Sequence, residues 1–147
     1  MADNIHATGL VLADRGIVIA GEAGAGKTQL ALALISHARA AGLFARLVAD
    51  DQLFLKASHG RVVCEAPATI AGLAEARGVG PVRLHHEAKA PVDLLVRLVG
   101  RVAAERLPET RTDLLLGQEI PALRLAGDDR QAAVMAVMAQ LSLPPFG

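Results

Sequence analysis

Tryptophan and tyrosine are absent from the sequence, and phenylalanine occurs only at Phe44, Phe54 and Phe146. A pocket for an adenine ring must therefore have aliphatic walls or be built on one of those three rings. Cysteine is nearly absent too. Cys64 stands alone, so an internal disulfide is excluded, and a reducing, cytoplasmic setting is expected. No sign of charge is in excess, since fifteen Lys and Arg balance fifteen Asp and Glu. A nucleic-acid-binding chain would carry a basic stripe, so no nucleic-acid partner is expected. No apolar run is long enough to cross a bilayer, and Met1-Ala2-Asp3-Asn4 has neither a basic n-region nor an apolar h-region. Neither a membrane partner nor a signal peptide is expected. What is present is a chain of 147 residues, 52% hydrophobic, a length that suits one domain with a sizeable core. Residues 1–147 are read as a single domain, without repeat, linker or low-complexity tract.

The most informative segment is Gly21-Glu22-Ala23-Gly24-Ala25-Gly26-Lys27-Thr28. It fits the phosphate loop G-x-x-x-x-G-K-[ST]. Its flanks fit as well. Gly16-Ile17-Val18-Ile19-Ala20 is short, apolar and β-branched, which predicts a buried strand, and Gln29-Leu30-Ala31-Leu32-Ala33-Leu34-Ile35 is rich in helix formers. Glycines let backbone N–H groups wrap phosphates, and the helix N-terminus adds partial positive charge. Lys27 is expected to reach the β- and γ-phosphates of a nucleotide, and the Thr28 hydroxyl to face Mg²⁺.

The remaining pattern predicts an α/β fold. Residues 8–12 and 16–20 read as strands joined by the turn 13–16, and the helix runs to about Ala41 with Leu30, Leu34 and Ala38 on one face. A third strand, 43–49, ends in Asp50-Asp51. Residues 52–58 and 61–65 read as strands around His59-Gly60, a hairpin signal, so a mixed sheet is expected. A short helix is predicted over 69–76, strands at 94–99 and 122–125, and a last helix over 131–141 capped by Asp128 or Asp129.

Asp50 and Asp51 end a strand that follows the glycine loop and helix, where an α/β nucleotide site places acids. One carboxylate can hold or orient a metal and the other can accept a proton from an attacking hydroxyl. Glu75-Ala76-Arg77-Gly78-Val79-Gly80 is a second glycine-containing segment, able to close over a metal–phosphate site. By themselves His6 and Arg106 read as ordinary residues. His85-His86 resembles a metal pair only superficially, because adjacent strand residues face opposite ways, and no zinc is expected.

Read in order, these segments resemble the HPr kinase/phosphorylase family. The resemblance runs through residues 5–11, 16–28, Leu47-Val48-Ala49-Asp50-Asp51, Ala66-Pro67 and Gly72-Leu73-Ala74-Glu75-Ala76-Arg77-Gly78-Val79-Gly80. It continues through Glu105-Arg106-Leu107 and Leu116-Gly117-Gln118-Glu119-Ile120-Pro121-Ala122-Leu123. It implies a phosphoenolpyruvate-carboxykinase-like nucleotide-binding fold. It also implies an ATP- and Mg²⁺-dependent kinase that phosphorylates a serine of HPr, the carrier protein of the phosphotransferase system. Many members reverse the reaction with inorganic phosphate and release pyrophosphate. By this resemblance His6, Lys27 and Arg106 match active-site residues, Thr28 and Glu75 match magnesium ligands, and the Asp pair contains the base. The base is placed on Asp51 and a metal role on Asp50, with Arg77, Gly78 and Gly80 as a phosphate-site loop. A homo-oligomer, a hexamer in the family, is implied.

Three departures qualify the expectation. The chain resembles the short, single-domain branch. Ala7 follows His6 where the family usually has Gly. The family's Pro-Gly-Arg-Asn before the last helix is replaced by Ala126-Gly127-Asp128-Asp129-Arg130, so reverse activity is expected to be weak or absent. The rival readings are a small-molecule P-loop kinase, which would need an arginine-rich lid and more parallel βαβ units, and a nucleotide-binding regulatory module without catalysis.

Overall fold

The computed structural model describes residues 2–105 and 111–147. Its centre is a six-stranded sheet in the order β11-β12-β10-β3-β2-β4, formed by β2 (Ala7–Leu12), β3 (Arg15–Ala20), β4 (Ala45–Ala49), β10 (Leu94–Val99), β11 (Thr112–Leu115) and β12 (Gln118–Ala126). β3, β10 and β12 run parallel, while β2 is antiparallel to β3 and β11 to β12. One face carries α1 (Lys27–Ala40) and α3 (Arg130–Gln140), and a short α2 (Arg101–Glu105) follows β10. The other carries a second sheet, β1 (Ala2–Ile5), β5 (Leu53–Ser58), β6 (Arg61–Glu65) and β9 (Lys89–Pro91), in the order β1-β5-β6-β9.

The strand chemistry follows from these three layers. A strand covered on both faces loses the in/out alternation of polarity and reads as continuously apolar. Ile17 and Ile19 point to the helices beside Leu30, Leu34, Val96 and Val137, and Val18 points to the second sheet beside Val48, Leu55 and Leu95. Cys64 lies in that second core, where burial pushes its thiol up to about 12.

The loop–helix unit, the hairpin at 59–60 and the strand at 94–99 agree with the sequence reading, and the strand expected at 122–125 is the end of the longer β12, Gln118–Ala126. Two expectations need correction. The hairpin β5–β6 is antiparallel, but it belongs to the second sheet, and the mixture in the central sheet comes from β2 and β11. A tight turn fixes the relative direction of two strands and says nothing about which sheet they join. The helix expected over 69–76 is a 3₁₀ turn at Ala68–Ile70 followed by β7 (Leu73–Ala76), which pairs with β8 (Gly80–Arg83). Gly72 at φ 76 interrupts a helical path, and cross-strand pairing overrides the helix propensity of Leu, Ala and Glu. No helix among the described residues is long and apolar enough to cross a membrane.

Candidate active site

The site forms at the carboxyl ends of the parallel strands, where loops leave the sheet. The glycine loop 21–28 leaves β3 and turns into α1, whose N-cap, Gly26, makes no side-chain capping bond. No acidic residue occupies the helix's first turn, so its N–H groups and dipole stay available to an anion. The turn 126–129 after β12 packs on the loop. A Cβ at Gly127 would come within 2.5 Å of the Ala25 carbonyl oxygen, so only glycine permits this approach.

Lys27 is almost fully buried at 6% exposure, and its ammonium donates to the carbonyls of Gly21 at 2.9 Å and Glu22 at 3.1 Å. It therefore braces the loop from inside. Asp51 Oδ1 lies 3.8 Å from the same nitrogen, with the Asp51 side chain 65% exposed in the cleft. Asp50 is built differently. Its Oδ1 accepts from Thr28 Oγ1 at 2.7 Å and Thr8 Oγ1 at 3.0 Å, and its Oδ2 accepts from Glu75 N at 3.2 Å. Asp50 thus ties β2, α1 and β7 together, while Asp51 presents its carboxylate to the cleft.

The cleft holds about 450 Å³ and is lined by Lys27, Thr28, Asp50, Asp51, Glu75, Arg77 and Gly78 together with the loop residues Ala23, Gly24 and Gly26. A hollow of about 270 Å³ adjoins it, sharing Gly24, Gly26, Gln29 and Arg77, with Leu30, Leu98 and Ala133 as apolar wall and Asp128 and Arg130 at its edge. Neither cavity is lined by Phe44, Phe54 or Phe146, and the apolar wall of the smaller one is aliphatic. Asp129 caps α3 by accepting from Ala132 N at 3.1 Å, and Asp128 pairs with Arg101 at 3.1 Å.

The structure therefore brings together most of the residues singled out from the sequence. His6 is exposed at the bend between β1 and β2 and does not line the cleft. Gly80 opens β8 and also stands outside the lining. Arg106 lies outside the described residues. Sequence reasoning missed Thr8, which is fully buried and whose hydroxyl also accepts from the Asp51 N–H at 3.1 Å. The available signal was a hydroxyl in an otherwise apolar strand, since a buried polar group requires a partner.

Comparison with known proteins agrees with the fold. Residues 1–126 match the family model described as HPr Serine kinase C-terminal domain. The chain is 36% identical over 78 residues to the HPr kinase/phosphorylase of Lactobacillus delbrueckii subsp. bulgaricus, covering 52% of this chain and 23% of that protein. It is 40% identical over 65 residues to that of Clostridium tetani, covering 44% of this chain and 19% of the relative. The chain thus spans under a quarter of the length of these relatives. A solved structure described as the Hpr(Ser) kinase/phosphatase from Coxiella burnetii superposes with a TM-score of 0.76 at 25% identity, covering 95% of this chain and 90% of that one. The chain belongs to the HPr Serine kinase C-terminal domain family.

Proposed function

We propose that the chain is an ATP-dependent protein-serine kinase acting on an HPr-type carrier protein of the phosphotransferase system. One observation carries the reading. Lys27, the Thr28–Asp50 hydrogen bond at 2.7 Å and an outward-facing Asp51 carboxylate 3.8 Å from Lys27 share a single cleft. The family membership and the names of the relatives support it. In this reading loop 21–28 is a P-loop, the fold is of the phosphoenolpyruvate-carboxykinase type, and residues 1–147 are one catalytic domain. The protein is read as cytoplasmic and as a homo-oligomer, hexameric as the family resemblance implies.

The donor set fits Mg²⁺, which takes one or two protein oxygens and completes its shell with phosphates and water. The Thr28 hydroxyl, backed by Asp50, is one such oxygen, and Glu75 on β7 is another. Held by Thr28 and Glu75, Mg²⁺ would supply positive charge to offset that of the phosphates. The loop N–H groups and Lys27 hold the triphosphate, and the hollow beside Leu30 and Leu98 receives the nucleoside. Asp51 takes the proton of the substrate serine as its oxygen attacks the γ-phosphorus in line. The bond from that phosphorus to the bridging oxygen breaks, and ADP leaves with its electron pair. Arg106 steadying the phosphoryl oxygens completes the proposal; His6, matched to the site by resemblance alone, is exposed outside the cleft lining and is given no contact with Asp51. In reverse, Asp51 would return the proton to the serine oxygen while inorganic phosphate accepts the phosphoryl group.

The test is incubation with γ-labelled ATP, Mg²⁺ and a purified HPr-type carrier. Label is expected on a carrier serine, and none with Lys27→Ala. ATP binding without transfer to any carrier would reduce the protein to a binding module and sink the reading.

A further inference from the structure

The two neighbouring aspartates of the cleft rest on one hydroxyl from a strand far away in the sequence. Thr8, on β2, is fully buried. Its Oγ1 donates to Asp50 Oδ1 at 3.0 Å and accepts the backbone N–H of Asp51 at 3.1 Å. Asp51 sits at φ 66, in the left-handed region. Aspartate tolerates that region better than most residues, yet it is still strained, and such strain persists only where the surroundings hold it. The direction of the Asp51 N–H is set by the same local backbone geometry that aims its carboxylate. An acceptor fixed behind that N–H therefore fixes where the carboxylate points, here toward Lys27 at 3.8 Å.

We propose that Thr8 is the positioning residue of the base. Its hydroxyl holds Asp51 in the left-handed conformation that faces Lys27, and ties that conformation to Asp50 and hence to Thr28. The inference rests on the reading of Asp51 as base. The chemistry requires a group that donates and accepts at one atom, as a hydroxyl does. Valine matches threonine in shape and does neither, while serine keeps both functions.

Four variants test this, Thr8→Val, Thr8→Ser, Asp51→Asn and Thr8→Val combined with Asp51→Asn, assayed with Mg²⁺-ATP and a purified HPr-type carrier. ATP affinity is measured separately by calorimetry. Thr8→Val is expected to lower kcat on the order of 10–100-fold, the effect of a small misplacement of a reacting group. Its ATP affinity is expected to stay within about twofold, because the loop and Lys27 are untouched. Thr8→Ser should retain most of the rate. In the Asp51→Asn background, adding Thr8→Val should cost less than about twofold, since residues acting as a unit are non-additive. Equal losses in the serine and valine variants, an ATP affinity that falls in step with the rate, or an additive double variant would each overturn the inference. Full activity in Thr8→Val with loss in Asp51→Asn overturns it alone. Full activity in Asp51→Asn overturns the base assignment together with it. Should the valine variant not fold, Thr8→Ala carries the same comparison.

Discussion

Lys27 and Asp51 stand 3.8 Å apart, yet the lysine is buried and the aspartate largely exposed. The lysine is held from behind by the carbonyls of Gly21 and Glu22, so its position does not depend on the aspartate. The pair is therefore a preset cation beside a carboxylate that remains open to a substrate.

Lys27→Ala removes both the brace of the loop and the motif's charge on the phosphates. ATP binding measured by calorimetry should fall sharply, and phosphorylation of a carrier should vanish. Thr28→Ala should instead raise the Mg²⁺ concentration needed for half-maximal rate. Full kinase activity in Lys27→Ala would refute the site assignment.

The two neighbouring acids should separate by experiment. Asp51→Asn keeps shape and removes the proton acceptor, so turnover should fall roughly 10²–10⁴-fold while ATP still binds. Asp50→Ala removes an acceptor that serves Thr8, Thr28 and the Glu75 N–H. Stranding such donors costs about 1–3 kcal/mol each where they are buried, so this variant should show a lower Tm as well as a higher Mg²⁺ requirement. Loss of turnover in Asp50→Asn with full turnover in Asp51→Asn would swap the roles.

The division of labour between the acids was only partly legible in the sequence. β3, the glycine loop and α1 are written locally, in a β-branched run, glycines and helix formers that need no distant partner to be recognised. The same holds for the turn at 59–60. The hydrogen bond of Thr8 to Asp50 spans 42 residues, and nothing local to either residue announces it. Segment 73–76 reads as helix for a related reason, because its composition favours helix, whereas its strand state depends on β8. His6 owed its place in the site to resemblance, and the structure puts it at an exposed bend.

A separate contact predicts acid sensitivity. Asp113 on β11 accepts from Arg97 on β10 at 2.6 Å, and that bond holds its carboxyl below the usual carboxylate range. A depressed folded-state value contributes stability that is present above the unfolded value, about 4, and is lost as pH falls through the folded one. Asp113→Asn should therefore flatten the dependence of Tm on pH below about pH 4, with little change in that slope near neutrality. Both groups are partly exposed, so the neutral-pH cost should be small. Identical acid limbs in the two proteins would remove the pair from the account.

The last prediction concerns direction. The chain is expected to be chiefly a kinase, with weak or absent phosphorolysis. Phosphorolysis must hold inorganic phosphate beside a phosphoserine, and that crowding of negative charge needs cations or N–H donors to offset it. Where the family has Pro-Gly-Arg-Asn, this chain has 126–130 with two aspartates. Asp129 is engaged at the N-terminus of α3, and Asp128 neutralises Arg101, a cation the site would otherwise have free at its edge. Arg77 and Arg130 both line the hollow beside the loop, so Arg130 is the residue placed to offset phosphate charge in this segment. The decisive assay starts from serine-phosphorylated carrier with inorganic phosphate and Mg²⁺ and measures pyrophosphate. Little release is expected from the wild type, and less from Arg130→Ala. Asp128→Asn, which frees Arg101, should raise it. Release from the wild type at a rate comparable to the forward reaction would show that these two arginines suffice and that the missing motif is dispensable.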